Sequence, residues 1–136
     1  MNLSLNPYVT FDGNCEKAVT FWAKVLEIEP QIMRMGDSPM PVPPGSKNRV
    51  MHATLRKAGF VLMASDSMPG QPVAQGNNVS LSIAFTDKNE QTKVWEGLLE
   101  NGIATMPLGD QVYGRFGMLK DQFGIHWMLI CEPPKP

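Results

Sequence analysis

Apolar positions along this chain recur with two different periods, and the switches between them mark its elements. Leu5 to Phe11 reads as a strand and runs into the turn residues Asp12-Gly13-Asn14. Asn14 is placed to cap a helix through its side-chain oxygen. Ala18, Phe21, Trp22, Val25 and Leu26 then fall at helical spacing, a stripe suited to packing on a sheet. Pro30 marks the end of that helix, and Ile32 to Met35 is a candidate short strand. Val50 to Arg56 and Phe60 to Ser65 form two further strands around Lys57-Ala58-Gly59. Two stretches rich in Pro and Gly, Gly36 to Lys47 and Asp66 to Asn77, read as loops.

The same order then recurs. Val79, Leu81, Ile83 and Phe85 alternate with smaller residues as a strand. Asp87 with Glu90 three residues later has the form of a capping box. Val94, Trp95, Leu98 and Leu99 repeat the helical stripe, and Asn101-Gly102 closes it. Ala104 to Leu108 precedes a hairpin over Tyr113 to Ile130, with its turn at Asp121–Gly124. In the last strand His126, Met128 and Ile130 share one face, and Trp127, Leu129 and Cys131 the other. Both faces are largely apolar, which predicts a central strand covered on both sides. Phe11 corresponds to Phe85, and Phe21-Trp22 to Val94-Trp95, at an offset of about 73–74 positions. The chain thus reads as a strand, a helix and three strands written twice, over about 5–65 and 78–131 of a single 1–136 domain. The alternative is an unrelated α+β sandwich whose two helices look alike.

Composition narrows the partners. A 136-residue chain with 43% hydrophobic and 18% charged residues is long enough for a real core. A net charge of −1 gives no footprint for nucleic acid. No apolar run approaches the roughly 18 residues of a membrane span, and MNLSLNPYVTF lacks the features of a signal peptide. Cys15 and Cys131 are too few for a disulfide framework, and ten methionines suit a reducing compartment, so a cytoplasmic location is expected.

The segments YVTFDGNCEKAVTFW, VMHATLRKAGFVLMASD, NNVSLSIAF and YGRFGMLKDQFGIHWML resemble the PhnB-like branch of the vicinal-oxygen-chelate superfamily. Members of that branch are often labelled demethylubiquinone methyltransferase, and the superfamily includes glyoxalase I, extradiol dioxygenases and bleomycin-resistance proteins. The resemblance covers nearly the whole chain. It implies an α+β fold of two βαβββ modules, a mixed sheet curled around a cleft, helices on the outer face, and a homodimer. Metal-using members carry His and Glu ligands on the first, fourth, fifth and eighth strands. The matching positions here hold Pro7, Met63, Ser80 and Met128, so no metal and no other cofactor is expected. Methyltransferase chemistry lacks support as well, because the first turn reads DGNC rather than a glycine-rich loop.

If the cleft follows strand alternation, Pro7, Val9, Met63, Ser65, Ser80, Ser82, His126 and Met128 line it, a largely apolar wall with hydroxyls and one imidazole. Tyr113, Arg115 and Phe116 are placed to close its mouth. His52 and Arg56, on one face with Thr54, offer positive charge to an anionic ligand. Each has a plainer reading: His52 and His126 as packed strand residues, Met63 and Met128 as adaptable core filler, the tryptophans as core. Three functions follow. The favoured one is a small-molecule binder without a metal, its ligand unidentified. The second is a glyoxalase- or dioxygenase-type metalloenzyme. The third is a scaffold that pairs through its sheet edges.

Overall fold

The computed structural model describes residues 2–133. Its class is α+β, with two four-stranded mixed sheets and two α-helices. The chain divides into two compact units, Met1–Ala74 and Gln75–Pro136.

The first unit contains β1 (Tyr8–Phe11), α1 (Cys15–Leu26), β2 (Pro30–Arg34), β3 (Val50–Lys57) and β4 (Phe60–Asp66). Its strand order is β1-β4-β3-β2, with β1 and β4 parallel and the other pairs antiparallel. Helix α1 presents Ala18, Val19, Trp22 and Ala23 to the sheet, and Phe11 meets the Trp22 ring at 5.7 Å. Leu55, Leu62 and Ala64 complete that core. Burying each leucine contributes about 1.5–3 kcal/mol. Asn14 does precede the helix, but its side chain makes no capping bond. The cap comes from the far end of β4: Asp66 Oδ1 accepts the Gly13 and Cys15 N–H groups at 2.8 and 3.0 Å. Its Oδ2 accepts the Val50 N–H at 2.8 Å. The helix ends in a left-handed residue, Glu27, with φ of 56°, three residues before Pro30.

The second unit contains β5 (Leu81–Phe85), α2 (Lys88–Leu99), β6 (Ile103–Gln111), β7 (Gly114–Lys120) and β8 (His126–Cys131). Its order, β5-β8-β7-β6, repeats that of the first sheet, and β5 and β8 are again parallel. Strand β8 is central, yet only Trp127, Leu129 and Cys131 are buried; His126, Met128 and Ile130 are half-exposed. Helix α2 covers one face, so the expected cover on both sides is corrected to one. Asp87 caps α2 by accepting the Asn89 N–H. Gly117 lets the helix sit close, since a Cβ there would lie 2.8 Å from the Trp95 ring. At the β7–β8 turn Asp121 accepts the Phe123 and Ile125 N–H groups and, at 2.8 Å, the Trp127 indole N–H.

Candidate functional site

Register decides which side chains share a face. In the first sheet Tyr8 pairs with Met63 and Thr10 with Ser65, whereas Val9 pairs with Ala64 and Phe11 with Asp66. Phe11, Ala64 and Asp66 are buried on the α1 side. Val9 therefore points toward the helix, and its expected place in a cleft wall is corrected. Alternation counted back from the core residue Phe11 turns Tyr8 and Thr10 outward, one residue out of phase with the expectation.

The open face of this sheet carries Tyr8, Met63, Thr54 and His52, with Gln31 and Met33 on β2 opposite Thr54 and His52. Strand β4 separates β1 from β3, so the Tyr8 side chain reaches across it. Its hydroxyl lies 3.2 Å from His52 Nδ1, and the two rings are 5.7 Å apart and tilted at 42°. His52 Nε2 lies 2.9 Å from Thr54 Oγ1. Each imidazole nitrogen thus faces a hydroxyl, which can donate or accept. In one tautomer Tyr8 donates to Nδ1 while Nε2–H donates to Thr54; in the other both directions reverse. Thr54 is 8% exposed and Tyr8 49%, so the chain runs from the sheet toward solvent. Arg56 follows on the same face of β3 and is exposed.

In the second sheet Ser82 pairs with Met128, Met118 with Met128, and Phe116 with Ile130, all on the face away from α2. His126 lies on the same face opposite Lys120. Ser80 precedes β5 and is half-buried. Tyr113, in the turn between β6 and β7, packs edge-on against Phe116 at 5.6 Å. Arg115 lies on the opposite face, and its expected role at a pocket mouth is corrected. Its Nη1 donates to Thr92 Oγ1 at 2.7 Å, to Lys88 O at 3.1 Å and to Gln91 Oε1 at 3.3 Å. Gln91, fully buried, in turn donates to the Arg115 and Leu129 carbonyls. Arg115 ties the sheet to the helix.

Of the four positions compared with the superfamily's ligands, Met63 lies in β4 and Met128 in β8, while Pro7 and Ser80 precede β1 and β5; the register sets Tyr8 beside Met63 and Ser82 beside Met128. Among the described residues no group of three or more His, Cys, Asp or Glu is arranged to hold a metal ion. Cys15, at the start of α1, is buried; that burial first, then the Asp66 and Glu16 charges, raise its thiol to about 12. Helix N-termini usually favour thiolates, but here the Asp66 carboxylate holds the amide donors.

Comparison with known proteins agrees with this geometry. The family model described as 3-demethylubiquinone-9 3-methyltransferase matches residues 4–130. Protein PA1353 from Pseudomonas aeruginosa is 37% identical, with a TM-score of 0.87 over 96% of this chain and 98% of that one. A putative 3-demethylubiquinone-9 3-methyltransferase, PhnB protein, from Bacillus cereus is 26% identical, with a TM-score of 0.75 over 95% and 99%. A bleomycin-binding protein from Streptomyces verticillus shares the fold at 18% identity and a TM-score of 0.60, over 98% of each chain. With the doubled βαβββ topology, these matches place the chain in the 3-demethylubiquinone-9 3-methyltransferase family, with a PhnB protein among its relatives and its fold shared with the bleomycin-binding protein.

Proposed function

We propose that this protein binds a small molecule on the open face of its first sheet, without a divalent metal. The observation that carries this reading is the Tyr8–His52–Thr54 hydrogen-bonded chain, held on a half-exposed β face beside Met63 and Met33. It combines an aromatic ring, two thioethers and a polar end that accepts or donates as the ligand requires. That chemistry suits a compact aromatic or amphipathic compound with an oxygen function, which Arg56 would favour if anionic. The reading is supported by a protein of this fold that is described as bleomycin-binding. The methyl-transfer activity in the family's description would call for a doubly wound parallel sheet with a glycine-rich first turn, whereas the described residues form two mixed sheets and the first turn reads DGNC. Ser80, Ser82, His126, Met128 and Tyr113 are proposed contacts of the same kind on the second unit. A cytoplasmic homodimer completes the reading. Among the described residues no helix is long and apolar enough to cross a membrane.

A thermal-shift screen of small aromatic and carboxylate compounds, run in EDTA, tests the proposal. The expected hit raises the melting temperature of the wild type and loses affinity in Tyr8→Phe. Losing one hydrogen bond of about 0.5–1.5 kcal/mol weakens binding by up to about tenfold. A hit bound equally by Tyr8→Phe and His52→Phe would place recognition elsewhere.

A further inference from the structure

Three methionines stand side by side on the open face of the second sheet. Met106 on β6 pairs with Met118 on β7, and Met118 pairs with Met128 on β8. Partners directly opposite on antiparallel strands have Cβ atoms about 4.5–5.5 Å apart. Met118 therefore has a thioether neighbour on each side. The flexible methionine chain lets the outer two sulfurs lean toward the middle one. Met106 is 39% exposed and the other two are half-buried, so the row is rooted in the sheet and open to solvent. Strand β6 shifts register on both sides of Met106. Such irregularities re-aim a side chain rather than leave it in the regular pleat. Phe116 and Ile130 flank the row on one side, Lys120 and His126 on the other.

We propose that Met106, Met118 and Met128 form a site for a soft monovalent cation of the Cu(I) class. Thioethers are neutral, polarizable donors that select Cu(I) over the hard ions preferred by carboxylates and water. Three of them around one ion leave its single charge unneutralised, which suits a monovalent better than a divalent cation. Neither Tyr8 nor His52 takes part, so this site is tested apart from the binding face of the first sheet; it shares only Met128 with the contacts proposed on the second unit.

The test is titration of the full chain with Ag(I), a redox-inert soft cation of the same charge, with ¹³C-methyl methionine NMR as the readout. One equivalent is expected to move the methyl signals of Met106, Met118 and Met128 while those of the exposed Met40 and Met68 stay in place. Met118→Leu, close in volume, is expected to weaken uptake at least tenfold with the amide spectrum intact. Met106→Leu, at a more exposed position, gives a second variant should Met118→Leu misfold. Uptake that moves no methionine signal would assign the ion to thiols. That result, equal binding by Met106→Leu, or equal shifts at Met40 and Met68 would overturn the proposal.

Discussion

Asp66 accepts three backbone N–H groups, two at the entry to α1 and one at the start of β3, and it is 6% exposed. Replacing it by Ala leaves those donors without an acceptor, at a cost of about 1–3 kcal/mol for each one that stays buried. Chemical denaturation of Asp66→Ala should show a loss of at least about 2 kcal/mol. Asp66→Asn should recover only part of it, because one amide group cannot accept on both sides. Full recovery would mean that the second oxygen does not matter. Cys15 responds first to its burial and then to the same carboxylate. With its thiol raised to about 12, it stays protonated in the folded protein while the unfolded chain titrates near the ordinary thiol value of 9.0. Above that value the unfolded state binds fewer protons than the native state, so stability falls as pH rises. Cys15 thus contributes stability that is present below about pH 9 and lost toward pH 12. The stability difference between wild type and Cys15→Ala should narrow across that window, and a constant difference would refute the linkage. Native protein should also resist thiol alkylation at pH 8, since thiolate is the reactive form.

At the scale of elements, the strands and helices were legible because each shows its own period. The helix over Cys15–Leu26 carries its stripe at Ala18 and Trp22, and the β7–β8 hairpin turns at Asp121–Gly124, where Gly124 has φ of 83°. Phase and capping were less legible. Pattern alone does not say whether Val9 or Tyr8 faces the helix, because TyrValThrPhe lacks strict polar alternation. Nor could it reveal that a carboxylate on β4 caps α1, or that Arg115 faces α2; both depend on neighbours distant in sequence. Two substitutions test the packing. Trp127 is 1% exposed and its indole donates to Asp121, so Trp127→Ala should cost about 3–5 kcal/mol. A near-neutral result would contradict its core position. Gly117→Ala inserts a methyl against the Trp95 ring and the Leu108 backbone, each under 3.0 Å from the added carbon. Overpacking of this kind should lower stability by about 1–3 kcal/mol in denaturant unfolding. An unchanged midpoint would show that helix and sheet separate freely.

For the molecule as a whole, the duplication was readable in sequence because the large core residues recur in step. Phe11 and Phe85 end the first strand of each unit, Trp22 and Trp95 lie within each helix, and the strand orders repeat. What the two sheets display on their open faces differs, and that was harder to read. Tyr8 and His52 are 44 residues apart, on strands that are not neighbours, so only the assembled sheet brings them together. The duplicated framework accounts for the fold; the Tyr8–His52–Thr54 chain is where the proposed function resides. The most direct test is calorimetric binding of the best thermal-shift hit, measured in EDTA and again with added Zn, Ni or Mn, for wild type and His52→Phe. The expected result is the same affinity with and without metal, and a marked loss in His52→Phe. Binding or turnover that appears only when divalent metal is supplied would contradict it.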